Sequence, residues 1–251
     1  MFLLENIFHN KYTTLNIRPF NALTFNQDCK KMCGRYTLTK SIKTIESHFK
    51  PIRISLKYFP SFNIAPSQFA AVITDSFNQL NLTEKKWGML PSWSKDASMG
   101  NKLINARSET LHEKPSFRES FKNQRCLIPA DGFIEWKEKK PYYIIIKNQA
   151  LFAFAGLWST WDAGNDSLNT YTIVTTEANK ALSSLHSRMP VILHPNDYKT
   201  WLTADSNSLS SLFSGCLENE LEYFEISTAI NSPKNNEASL LTPVGQSSFT
   251  F

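Results

Sequence analysis

Glycine is scarce in this chain, eight residues in 251, and none sits in the glycine-rich spacing that cradles a phosphate between a strand and a helix. Folds that hold a nucleotide cofactor through such a loop are disfavoured, and no cofactor is expected. Cysteine is as sparse. Cys29, Cys33, Cys126 and Cys216 form no C-x-x-C pair, and no histidine cluster stands by to complete a zinc set, so a structural metal is not expected. So few thiols in a long chain do not make a disulfide framework, which suits a reducing compartment. Long apolar runs are missing too. No stretch approaches the roughly 18 to 20 residues of a membrane helix, and the N-terminus lacks a signal peptide's unbroken apolar region. The expectation is a soluble, cytoplasmic protein with no membrane partner.

What is present points to one large core. At 41% hydrophobic residues the chain can bury a single domain. The net charge of +5 arises with only 20% charged residues, so the basicity is mild; without placed arginines it reads as solvated surface before it reads as a phosphate-binding patch. Residues 1–31 show neither alternation nor a helical face and end in Lys30-Lys31. They read as an N-terminal extension outside the mature fold, with the domain spanning 32–251. From Cys33 the signals sharpen. "CGRYTLT" reads as a strand, and "SIKTIESHF" as a short helix capped by Ser41 with Ile42, Ile45 and Phe49 on one face. "FAAVIT", "YYIIIK", "LFAFAGLW" and "YTIVTT" are β-branched and aromatic, as core strands should be. "NKALSSLH", "NDYKTWL" after Pro195, and "SLSSLF" are short helical candidates. Strands and short helices mix without a βαβ rhythm, which places the chain in the α+β class.

Four polar stretches carry the ionisable residues a site could use. "MCGRY" supplies Cys33 and Arg35. "NKLINARSET" puts Asn105 and Arg107 on one face if extended. In "IPADGFIEWKE", Asp131-Gly132 signals a turn, and Glu135 lies among Phe133, Ile134 and Trp136. Such flanking desolvates a carboxylate and favours its protonated form, although spacing alone favours an outward strand position beside Trp136. "SLHSRMP" places His186 two residues before Arg188, where a lone histidine is more often a cap or core residue than a catalyst.

In series these stretches resemble a known family. Cys33-Gly34-Arg35, "NIAPSQ" at 63–68, "WGMLPSW" at 87–93, "INARSET" at 104–110, "ADGFIEW" at 130–136 and "HSRMP" at 186–190 resemble the SRAP (SOS response-associated peptidase) family of abasic-site processing proteins, over Met32 to about residue 235. The resemblance implies a single α+β domain with a curved, barrel-like sheet and short peripheral helices. It also implies covalent crosslinking to abasic sites in single-stranded DNA, including sites at single-strand/double-strand junctions, by a monomer. By the same resemblance Cys33, Asn105, Glu135 and His186 are catalytic. Cys33 is the nucleophile, Asn105 orients it, Glu135 relays protons, and His186 protonates the sugar ring oxygen. Arg35, Arg107 and Arg188 would line the DNA channel, and Pro66 and Trp93 would press against bases flanking the lesion. Where family members often carry a second bulky residue after this tryptophan, this chain has Ser94.

The chemistry explains why Met32 precedes Cys33. An N-terminal cysteine offers an amine and a thiol on adjacent carbons, which together close a thiazolidine on an aldehyde, and its α-amine, with a pKa of about 7.7 to 8.0, is substantially neutral near physiological pH. Met32 is therefore expected to be an initiator that is removed. Alternatively, the extension is cut before Cys33; if residues 1–31 are retained, Cys33 has no free amine. Two other function classes stay open at this point. One is a cysteine peptidase using Cys33, His186 and Glu135 and limited to self-processing; the other is a noncovalent single-stranded DNA-binding module. His9, His48, His112, His194 and the remaining cysteines are expected to be spectators, with Cys126 buried.

Overall fold

The structure, a computed structural model, describes residues 34–162, 164, 167–214 and 220–245. The residues 1–31 extension, Cys29, Cys33 and Cys216 lie outside them.

After β1 (Tyr36–Leu38), helix α1 (Ile42–His48) starts where Ser41 accepts the Thr44 amide and buries Ile45. β2 (Ile52–Ile54) and β3 (Ser61–Ile64) follow, and then a hairpin of β4 (Phe69–Ser76) and β5 (Gln79–Trp87). Its turn, Phe77-Asn78, has both φ angles positive, 55° and 60°, which matches the twist of the flanking strands. The short β6 (Asn105–Arg107) precedes α2 (Pro115–Asn123), whose first-turn proline and buried Phe117 and Phe121 fix its start and its face. Next come β7 (Arg125–Ala130), β8 (Gly132–Lys137), β9 (Lys140–Ile146), β10 (Phe152–Asp162) and β11 (Ser167–Glu177). The short β12 (Arg188–Pro190) and β13 (Ile192–Leu193), helix α3 (Tyr198–Thr203) and β14 (Leu221–Glu225) complete the order.

β11, β10, β7, β4 and β5 form a continuous path that the parallel β11–β5 pairing closes into a five-stranded barrel. A second sheet runs β14-β9-β8-β1-β3, and its Tyr36, Phe133 and Ile144 share one buried cluster with Trp87 and Phe154 of the barrel. The α+β domain with a closed, curved sheet is thus as expected. "NKALSSLH" is a run of turns rather than a helix, and "SLSSLF" is two 3₁₀ turns. Neither gathers enough apolar residues on one face to pay the cost of helix nucleation. Among the described residues no helix is long and apolar enough to cross a membrane.

Asp131-Gly132 is the corner where the chain leaves the barrel for the second sheet. Asp131 is buried, and its carboxylate accepts from the Thr37 hydroxyl, the Thr39 amide and the Thr39 hydroxyl, each at 2.6 Å. A Cβ at Gly132 would lie 2.3 Å from the Tyr143 ring, so the corner admits no side chain there.

Candidate functional site

The start of β1 is the centre of the site. β1 lies between β3 and β8, with Tyr36 opposite Ile64 on one side and Phe133 on the other. The Ile134 amide donates to the Arg35 carbonyl at 2.9 Å, so one step further along the register brings Gly34 level with Glu135. Glu135 is 4% exposed, in a strand whose neighbours on either side are apolar; the inward placement, not the outward one, is realised. Arg35 is buried too. Its Nη2 donates to the Asn231 carbonyl at 3.3 Å, its guanidinium lies 5.9 Å from the Trp136 ring centroid, and Trp136 Nε1 donates to Asn231 Oδ1 at 2.9 Å. Burial pulls its pKa down to about 10, which leaves it cationic at neutral pH. Its Nε is a buried donor without a hydrogen-bond acceptor among the described residues.

Ile104, just before Asn105, is tied into the core. Trp87 Nε1 donates to the carbonyl of Ile104 at 2.8 Å, and the Trp87 ring meets Tyr36 edge-on at 5.2 Å. The residue before Asn105 is thereby tied to the residue after Arg35. β6 then runs parallel to β11, pairing Asn105 with Ile173 and Arg107 with Thr175. Asn105 is half-buried and Arg107 exposed. β12 lies on the other side of β11, with Glu177 opposite Arg188.

His186 enters on the run of turns that replaces the expected helix. The Arg188 amide donates to its Nδ1 at 3.0 Å, and the Arg188 carbonyl lies 3.3 Å from the same nitrogen, so the Nδ1 side of the ring is held by the Arg188 backbone. This turn is fastened to the sheet that holds Glu135: the Ser184 and Tyr223 hydroxyls are 3.3 Å apart, Tyr223 packs edge-on against Tyr142, and Tyr142 pairs with Glu135. Arg188 is committed within the protein. Both terminal nitrogens donate to the Glu109 carboxylate, Nη2 to Oε2 at 2.9 Å, and Nη2 also donates to the Thr175 carbonyl at 2.8 Å. Glu109 drew no attention in the sequence, where only its place in "NARSET" marked it. Its carboxyl is held below the usual range by the Arg188 hydrogen bonds.

Pro66 and Trp93 sit on loops braced to the same edge. After β3 the chain turns at Ser67, whose φ is 71°, whose amide donates to the Trp87 carbonyl at 2.8 Å, and whose hydroxyl donates to Asn101 at 2.9 Å. Trp93 is 55% exposed. The Ser94 amide donates to Pro91, and Trp161 Nε1 donates to the Ser94 carbonyl at 2.6 Å, so Ser94 is buried in the turn that presents the indole. Gly88 and Gly100 meet beneath: a Cβ on Gly88, at φ 117°, would lie 2.6 Å from the Gly100 carbonyl oxygen. The remaining described histidines have partners. His48 bonds the Tyr198 hydroxyl at 3.1 Å, His112 packs on Phe121, and His194 caps Asn196. Cys126 is buried, and desolvation pushes its thiol pKa up.

With this geometry in place, comparison with known proteins gives a consistent result. A family model described as SOS response associated peptidase (SRAP) matches residues 32–233. The chain is 44% identical over 222 residues to the abasic site processing protein YoaM of Bacillus subtilis (strain 168), covering 84% of this chain and 97% of that protein. It is 32% identical over 223 residues to the abasic site processing protein HMCES of Xenopus tropicalis, covering 72% of this chain and 65% of that one. A crystal structure of a protein from Bacteroides thetaiotaomicron has the same fold, with a TM-score of 0.72 at 24% identity, over 84% of this chain and all of that one.

Proposed function

The chain belongs to the SOS response associated peptidase family, and from that premise we propose that it captures abasic sites in single-stranded DNA as a thiazolidine on Cys33. The relatives named above are abasic site processing proteins, and handling of abasic-site DNA is the coarse function this chain shares with them. What supports the finer reading is the convergence at the start of β1. Arg35 and Glu135 are both buried and lie next to each other in register at the start of β1, and the turn that carries His186 is fastened through Tyr223 and Tyr142 to the sheet that holds Glu135.

The reaction balances without a cofactor. As His186 gives a proton to the sugar ring oxygen, the bond from that oxygen to C1 breaks and the C1 hydroxyl proton passes to Glu135, which leaves the open-chain aldehyde. The Cys33 amine adds to the aldehyde carbon, the carbinolamine loses water, and an imine forms. The Cys33 sulfur then bonds to the imine carbon, and the thiol proton passes to the nitrogen. Glu135, desolvated among apolar neighbours, takes and returns protons in these steps and in their reversal. Asn105 orients the cysteine by hydrogen bonding. Arg35, Arg107 and Arg188 face the phosphates, and Pro66 and Trp93 press on the neighbouring bases. The chemistry requires a free amine on Cys33, so Met32 and everything before it must be absent from the active form. The domain of 32–251 acts as a monomer on single strands, with junctions to duplex as one setting.

A denaturing-gel shift tests this. Protein starting at Cys33, and the full 251-residue chain, are each mixed with single-stranded DNA carrying one abasic site. The expected result is a heat-stable band with the Cys33-start protein that is absent with intact DNA and lost in Cys33→Ala. No such band from either form refutes crosslinking. Noncovalent retention alone then favours the binding-module reading, and turnover of peptides in trans favours a peptidase.

A further inference from the structure

We propose that Glu109 occupies the fork of Arg188 as an internal stand-in for phosphate, so that a DNA strand must displace a carboxylate before this arginine can bind it. The inference rests on the DNA-handling reading above and deepens it: it names a residue that sets how tightly the strand is held.

The two members of the pair are unequally fixed. Arg188 begins β12, its side chain is 13% exposed, and the Thr175 carbonyl holds Nη2 from the strand between β6 and β12. Glu109 sits on the three-residue 3₁₀ turn Ser108–Thr110, with 46% of its side chain exposed. The cation is therefore the better anchored partner; among the described residues the carboxylate is held otherwise only by Ser108 and its own backbone on the same short turn, and its exposed side faces solvent. The contact is bidentate, one carboxylate oxygen to each Nη. Two phosphate oxygens present the same spacing to a guanidinium, so the carboxylate fills the geometry a phosphate would take. Pairing also cancels charge. With Glu109 ionised, Arg188 adds no net positive field at this edge, and an approaching phosphate meets a carboxylate. Arg188 Nε is a buried donor without an acceptor among the described residues, so the pair leaves the guanidinium incompletely satisfied.

Binding of the full chain to a fluorescein-labelled single-stranded oligonucleotide without an abasic site, followed by anisotropy across a salt series, separates this from a bracing role. Glu109→Gln keeps size and polarity and removes the charge. It is expected to bind about 2- to 5-fold tighter at low salt, the range a partly exposed ion pair can withhold, with a salt slope steeper by up to about 0.7. In an Arg188→Ala background the same substitution should produce no gain. Unchanged or weaker binding by Glu109→Gln overturns the inference and makes Glu109 a brace for Arg188. A gain that persists without Arg188 also overturns it, because the effect would then be one of general charge. If the wild-type chain binds no DNA, the functional reading itself fails and takes this inference with it.

Discussion

Asp131→Ala is expected to loosen β1 and with it the whole site. The carboxylate accepts three bonds of 2.6 Å, from the Thr37 hydroxyl and from the amide and hydroxyl of Thr39, at a corner that is 3% exposed. Truncation leaves the buried Thr37 hydroxyl and the half-buried Thr39 amide and hydroxyl without their acceptor, each costing about 1 to 3 kcal/mol where water does not replace it. Rotation of the Thr37 hydroxyl toward Tyr143, 2.9 Å away, recovers part of that. A net loss of about 3 to 5 kcal/mol follows, or roughly 6 to 20 °C in Tm for a domain of this size. Asp131→Asn keeps one acceptor oxygen and should cost about 1 to 2 kcal/mol. Thermal melts and urea midpoints of the three proteins measure the series, with crosslinking yield per folded molecule as the functional readout. A loss under about 1 kcal/mol for the alanine variant would show that β1 is held by the sheet alone.

Arg125, Trp93 and Glu109 give three further outcomes. Arg125→Met should cost about 3 to 5 kcal/mol in chemical denaturation. Its buried guanidinium donates to Phe121 and Lys122 at the end of α2 and to Trp201, Leu202 and Ala204 at the end of α3; full stability in the variant would mean those carbonyls find water. Trp93→Ala should leave Tm unchanged, since the indole is 55% exposed, yet weaken single-stranded DNA binding by about 1 to 3 kcal/mol if a base stacks there. Anisotropy decides this, and unaltered affinity removes Trp93 from the interface. Glu109 is protonated at lower pH in the folded than in the unfolded chain, because Arg188 holds its pKa below the ordinary 4.5. The pair's stabilisation is therefore fully present above that value and disappears as pH falls through the folded one. Glu109→Gln should show a shallower loss of Tm on acidification, and parallel curves would exclude the pair as a contributor.

Much of the fold and part of the site are legible in the residues themselves. The β-branched and aromatic runs fix β4, β9, β10 and β11, because a buried strand must be apolar on both faces or alternate strictly, and Ser41 fixes α1 by satisfying an orphan amide. The order of short motifs points to the family and, by resemblance, to the candidates Cys33, Asn105, Glu135 and His186, but it does not point to Glu109. The β8–β9 hairpin is hidden because its turn is Glu138-Lys139, with φ of 51° and 67°, where no glycine or asparagine marks left-handed backbone. α2 is hidden because its apolar residues are few. Spacing favours an outward Glu135 and the structure buries it, because alternation gives relative faces and not which face is covered. Only the second sheet lying over the barrel settles it. The sequence by itself determined which chemical groups this protein has; tertiary structure alone decided that Glu109 sits in the fork of Arg188, because their pairing depends on β6 and β12 flanking β11, a contact between residues 79 apart in the chain.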